Sequence, residues 1–315
     1  MKKTWLILMM SLLALFIAAC GSEDEETNAG ENTESKETVT VSHELGETEV
    51  PKNPENIVVF DFGILDTLDQ IGVDVAGVPQ SGTIPAYLEK YASEDYENIG
   101  SLKEPDFEKI AEINPDIIII SARQAALHDQ LEEIAPTIHL GVDTTNYMES
   151  FKQNMDIVGE IFGAQDEIDE ELTAIDESIA AVNEKATESE KKALIILAND
   201  DKISAYGPNS RFGLIHDVFG IPPVDESIEA STHGMNVTFE YVTEKNPDLL
   251  YVVDRTAAVG GDTSAQQLVE NQLVENTKAY ENDNIIYLNP DYWYLSGGGL
   301  TSVAEMINEI DASLK

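Results

Sequence analysis

Two unbroken apolar stretches, 117–120 and 249–253, stand out from the mixed apolar and polar positions around them. A run of four or five such residues without alternation suits a strand buried on both faces. Each run follows an Asn-Pro-Asp, at Asn114-Pro115-Asp116 and at Asn246-Pro247-Asp248. The proline fixes φ and ends the helix before it. Each run then leads to an arginine, Arg123 or Arg255, nine positions after the asparagine. Upstream, Phe107-Glu108 matches Phe239-Glu240, and Glu112 matches Glu244. The chain therefore contains two related halves offset by 132 residues.

Other apolar patterns fill in the elements. Val39-Thr40-Val41 and Thr48-Glu49-Val50 predict a hairpin and residues 57–60 a strand, while Ile64, Leu65, Leu68 and Ile71 recur at helical spacing until Gly72. Further βα units at Ala76-Gly77-Val78 and residues 137–140 make a doubly wound α/β lobe over 39–147. Met148, Phe151, Met155, Val158 and Ile161 form one helical stripe ending at Gly163. Ile168, Leu172, Ile175, Ile179 and Val182 form a second, predicting a helix of roughly 20 residues and about 30 Å. This stretch, 148–188, reads as a strut between lobes; a coiled-coil dimer would need more heptads, so a monomer is expected. The second lobe, 189–315, runs from the strand at 193–197 to that at 285–288. An aromatic turn, the triplet Gly297-Gly298-Gly299 and a helix from about Thr301 to Leu314 follow. The triplet reads as a tight start to that helix rather than as a phosphate loop.

The amino terminus is a targeting segment. Lys2-Lys3, the apolar residues 5–17 and Ile17-Ala18-Ala19-Cys20 predict a lipoprotein signal peptide over 1–20 with Cys20, the one cysteine, as the lipidated residue. Residues 21–38 read as an acidic tether holding the folded part off the extracytoplasmic face of the membrane. The formal net charge of -42 excludes nucleic acid and anionic membrane surfaces as favoured partners, and suits saline or alkaline surroundings.

Against that charge, the basic residues are informative. The chain has fifteen Lys but only three Arg: Arg123, Arg211 and Arg255. Two hold the repeat-equivalent place at a strand's carboxyl end, where open parallel sheets bind ligands, and the third follows the turn-like Tyr206-Gly207-Pro208-Asn209-Ser210. An arginine there can also make a simple surface ion pair. Sparing use of the planar guanidinium fork instead points to one cluster for carboxylate or catecholate oxygens. Lys103, His233, Trp293 and Tyr294 are candidates to join it, with His233 and the Tyr294 phenol as donors to a hard trivalent metal carried inside an anionic chelate. No Gly-x-Ser-x-Gly elbow or Gly-x-x-x-x-Gly-Lys loop is present, and the five histidines lack metalloprotease spacing.

The lipobox, the two lobes with their strut and the paired Phe-Glu…Asn-Pro-Asp segments resemble the ferric-siderophore substrate-binding lipoproteins of ABC importers, the class with a rigid interdomain helix. The resemblance covers the chain from Val39 onward. Val59-Phe60-Asp61-Phe62-Gly63, Leu65-Asp66-Thr67-Leu68, residues 207–213 and Trp293-Tyr294-Leu295 are similar to the branch that binds petrobactin and related catecholates. This implies an α/β fold of two Rossmann-like lobes with central sheets joined by a long rigid helix, the class III periplasmic-binding-protein fold. It implies no enzymatic activity and no intrinsic cofactor, the ligand being an Fe(III)-siderophore complex. Arg123, Arg211 and Arg255 would hold catecholate and citrate oxygens, with Lys103 as a further basic contact. His233 and Tyr294 would complete the coordination of iron when the ligand offers four donors. Glu108 and Glu240 would dock each lobe on the permease, whose ATPase partner drives import. Where relatives carry another basic residue after the first arginine, this chain has Gln124-Ala125-Ala126. The alternatives are a haem, cobalamin or hydroxamate binder of the same class and a surface-anchored α/β hydrolase using Ser296 and His233.

Overall fold

The computed structural model describes residues 37–261 and 263–315, so Cys20, the lipobox and nearly all of the tether lie outside the described residues. Residues 36–315 form one compact unit. An antiparallel hairpin, β1 (Thr38–His43) and β2 (Gly46–Pro51), leads into the first sheet. Its strands β3 (Ile57–Val59), β4 (Gly77–Val78), β5 (Glu97–Asn98), β6 (Ile117–Ile120) and β7 (Thr137–His139) are all parallel, in the order β5-β4-β3-β6-β7. The second sheet comprises β8 (Ala193–Asn199), β9 (Lys202–Tyr206), β10 (Met235–Val237), β11 (Leu249–Asp254) and β12 (Ile285–Leu288), in the order β10-β9-β8-β11-β12. Here only β8, β11 and β12 are parallel; β9 and β10 run antiparallel to their neighbours.

The helices that position the site are α1 (Phe62–Gln70), α2 (Phe107–Ile113), α3 (Tyr147–Phe162), α4 (Gln165–Ser189), α5 (Phe239–Lys245) and α6 (Leu300–Ser313). The sequence repeat is a structural repeat. α2 and α5 each end on an asparagine in the left-handed region, Asn114 at φ 51° and Asn246 at φ 47°. The proline then forbids a further helical turn. The aspartate after each proline holds the chain leading into the neighbouring strand. Asp116 Oδ2 accepts from the Glu55 and Asn56 amides at 2.9 and 3.0 Å, and Asp248 Oδ2 from the Lys192 amide at 3.1 Å. β6 and the first five residues of β11 are fully buried. Each buried aliphatic side chain contributes about 1.5–3 kcal/mol.

α4 is 25 residues long, about five more than the apolar stripe suggested, and spans about 37 Å. Its apolar face continues in helical register beyond Val182 to Ala186, whose burial extends the stripe. Lys152 of α3 pairs with its Asp176 at 2.6 Å, and its Asn183 donates to the Val218 carbonyl at 2.7 Å in the second lobe. Among the described residues, no helix is long and apolar enough to cross a membrane.

Candidate ligand cleft

The carboxyl ends of β6 and β11 bring two arginines from different sheets to one residue. Tyr294 lies in a π-helical turn, Asp291–Ser296, between β12 and α6. Arg123 Nη2 donates to its carbonyl oxygen at 3.1 Å, and Arg211 Nη2 to the same oxygen at 2.9 Å. The Arg211 guanidinium carbon also stacks 4.1 Å from the Tyr294 ring centroid. Arg255 approaches from the other side, its Nε donating to the Tyr294 phenol oxygen at 3.0 Å and its Nη1 to Asn199 Oδ1 at 2.6 Å. Gln124 is fully buried and shapes the turn that carries Arg123. Its Oε1 accepts from the Ser121 amide at 3.3 Å and its Nε2 donates to the Leu102 carbonyl at 2.5 Å.

These groups perturb one another. Burial lowers the pKa of the Arg211 guanidinium, opposed by Tyr294 and reinforced by Arg123, yet a guanidinium so placed stays protonated. Burial pushes the Tyr294 phenol up, but Arg211 and Arg255 outweigh it and hold the phenol below its ordinary range. Among the described residues, seven lysines pair with carboxylates and none of the three arginines does. Among the described residues the simple ion-pair reading of the arginines is therefore not realised. In a chain of 60 acidic residues, three clustered cations keep a carbonyl, a phenol and an amide as partners.

Arg123, Arg211, Trp293 and Tyr294 line a cleft of about 230 Å³, together with Asp61 and Tyr147. Ala122, Gly141, Val142, Thr144 and Thr232 are shared with an adjoining polar groove of about 960 Å³ beside the β1–β2 hairpin. Trp293 is mostly committed to the core: it is 4% exposed, and its Nε1 donates to Glu309 Oε2 at 2.6 Å. Lys103 and His233 are exposed and line neither space. The His233 amide donates to Ser231 Oγ at 3.2 Å, and its neighbour Thr232 reaches the cleft instead. Glu108 and Glu240 stand exposed in the first turns of α2 and α5. A hydrogen bond from the Thr238 hydroxyl holds the Glu240 carboxyl below the usual range.

Ser296 is not placed as the alternative hydrolase reading requires. Its hydroxyl lies 2.7 Å from the Tyr87 hydroxyl, the side chain is buried, and no histidine among the described residues hydrogen-bonds to it. Without that base the serine lacks the partner that nucleophilic catalysis requires. The Gly297-Gly298-Gly299 triplet opens α6 with a carboxylate already at its amide groups, that of Asp66, so the helix start is filled from within. Sequence reasoning missed Asp61, Asn199 and Tyr147. Asp61 had a legible signal, an aspartate immediately before a helical repeat, and its Oδ1 caps α1 through the Gly63 and Ile64 amides at 2.9 and 3.0 Å. Among the described residues, no group of three or more His, Cys, Asp or Glu side chains is placed to hold a metal ion.

The model of the periplasmic binding protein family matches residues 57–292. The chain is 50% identical to the petrobactin-binding protein YclQ of Bacillus subtilis, over the whole of both chains. The crystal structure of that protein superposes with a TM-score of 0.87 at 53% identity, covering 89% of this chain and 99% of that one. The ferric-anguibactin-binding protein FatB of Vibrio anguillarum is 32% identical over 86% of each chain. The catecholate-siderophore binding protein VctP of Vibrio cholerae superposes with a TM-score of 0.84 at 33% identity, over 88% of this chain and all of the other.

Proposed function

This chain belongs to the periplasmic binding protein family and has its class III fold, and on that premise we propose that it captures a ferric siderophore and delivers it to an ABC importer. The ligand class is a catecholate or catecholate-citrate chelate such as petrobactin. The observation that carries this reading is the set of three arginines converging on Tyr294 with no carboxylate partner among the described residues. A desolvated guanidinium without counter-charge is costly, and an anionic chelate supplies that charge as it binds. An uncharged hydroxamate complex would leave the cost unmet.

In this reading the iron is cargo, held by the chelate's own oxygens, and the protein catalyses nothing. Arg123, Arg211 and Arg255 take the ligand oxygens, and Trp293 and Tyr294 form the aromatic wall. The lowered phenol of Tyr294 suits it to donate to Fe(III) when the chelate leaves positions open, with His233, exposed next to the cleft-lining Thr232, as the second donor. Glu108 and Glu240 dock on basic residues of the permease. Each glutamate sits in the first turn of the helix that precedes the arginine-bearing strand of its repeat. Lipidation of Cys20 anchors the protein at the outer face of the cell membrane, where a monomer serves the permease and its ATPase.

The test is a titration of the chain lacking its first twenty residues with ferric petrobactin, a ferric bis-catecholate, a ferric hydroxamate and haem. Trp293, then the only tryptophan, reports binding by its quenching. Quenching by the two catecholates at submicromolar concentration and by neither of the others is the expected outcome. Preference for haem or the hydroxamate overturns the ligand class.

A further inference from the structure

Leu65-Asp66-Thr67-Leu68 does not line the cleft, whereas Gly297 and Gly298 of the glycine triplet do, and string and triplet form one joint. We propose that Asp66 is a positioning residue for the ligand cleft: from the first lobe it grips the first turn of α6 and so fixes the turn that presents Tyr294. Asp66 is 1% exposed. Its Oδ1 accepts from the Thr301 amide at 3.2 Å and its Oδ2 from the Ser302 amide at 3.0 Å. Thr67 Oγ1 accepts from the Leu300 amide at 3.1 Å. In its ionised form the carboxylate is acceptor-only, and at the positive end of a 14-residue helix it fits both the donors and the helix dipole.

The joint reaches the cleft by two routes. The Tyr87 hydroxyl lies 3.0 Å from Asp66 Oδ2 and 2.7 Å from Ser296 Oγ, and Ser296 lines the cleft two residues after Tyr294. On the other side, the Tyr147 hydroxyl donates to the Gly297 carbonyl at 3.1 Å. The backbones meet so closely that a Cβ on Gly299 would lie 2.1 Å from the Gly63 carbonyl oxygen and 2.2 Å from Asp66 Oδ1. The consequence falls on the arginines. Arg123 and Arg211 share the Tyr294 carbonyl, so the position of that turn decides whether guanidinium groups from two lobes meet at all.

Only the affinity readout rests on the ligand class proposed above. The experiment uses the full chain in detergent with Asp66→Asn, and with Tyr87→Phe as the milder variant should the first fail to fold. Three quantities are measured: amide hydrogen exchange across residues 292–299, the Tyr294 phenol titration by ultraviolet difference against Tyr294→Phe, and affinity for a ferric bis-catecholate. Exchange should accelerate about tenfold, as expected for a turn released from a cooperative unit. The Tyr294 phenol should titrate closer to an ordinary tyrosine, because the shift depends on its distance from Arg211 and Arg255. Affinity should fall about tenfold, the scale of a lost buried hydrogen bond to a charged group. The smaller Tyr87→Phe effects should have the same sign. Unchanged exchange and phenol titration in both variants overturn the proposal, as does a loosened turn with undiminished affinity. If the parent chain binds no ferric catecholate, the ligand class fails, and exchange with phenol titration still decides the positioning role.

Discussion

The two copies of the repeat end differently, although both begin with a seven-residue helix that stops at a left-handed asparagine before a proline. Both stop a helix with a left-handed asparagine, both use the next aspartate to hold a neighbouring strand, and both aim an arginine at Tyr294. Arg123 then stands in a turn packed around Gln124 and makes one bond, to the Tyr294 carbonyl. Arg255 opens a short helix capped by Asp254, and makes two, to the phenol and to Asn199. The repeat thus sets the address of each arginine at a strand end, while the residues around it set its task. Arg255 tunes the phenol, and Arg123 closes the cleft across the lobes.

This contrast can be broken at several points. Arg211, which stacks on Tyr294 and shares its carbonyl with Arg123, should matter most: Arg211→Ala is expected to weaken ferric-catecholate binding by about 3 kcal/mol, measured by calorimetry. Arg255→Ala should cost about 2 kcal/mol and raise the Tyr294 phenol pKa, whereas Arg123→Ala should cost about 1 kcal/mol, the order of one hydrogen bond. Equal losses with equal phenol shifts would erase the distinction between the copies. Asp66 adds a pH test of the joint between the lobes. Burial pushes its carboxyl from 3.8 up to about 7 despite its hydrogen bonds. The folded state therefore holds this proton more tightly than the unfolded one. Its stabilising contribution is full below the ordinary carboxylate value and is lost as pH rises through about 7. Denaturation between pH 4 and 8 should show that decline in the parent chain and a flatter profile in Asp66→Asn; parallel profiles would remove Asp66 as its source. The smallest expected effect on binding is that of Glu108→Ala with Glu240→Ala. Affinity should be unchanged while iron uptake by cells falls, and a loss of affinity would place these glutamates in the cleft.

Much of this was legible because it is local. The buried strands, the proline-terminated ends of α2 and α5, the helix ending at Gly163 and the rarity of arginine can all be read along the chain. β9 and β10 were not, since Lys202-Ile203-Ser204-Ala205-Tyr206 is a short alternation that follows β8 through a tight turn with Asp200 at φ 54°. Tyr294 was singled out for its phenol, but its backbone carbonyl is the meeting point of two arginines, which no side-chain pattern announces. Asp66 and Tyr87 act on residues more than 200 positions away, beyond the reach of periodicity. Lys103 and His233, candidates for the arginine cluster by residue type and by resemblance, stand outside the cleft as the structure places them.

In the proposed function, three arginines without a carboxylate partner among the described residues form the cradle of an anionic iron chelate. The most direct measurement is the affinity of an R123Q/R211Q/R255Q variant for a ferric bis-catecholate, with circular dichroism to establish that it folds. The account predicts a loss of at least about a thousandfold, or about 4 kcal/mol. A folded variant that binds the chelate as tightly as the parent would contradict it.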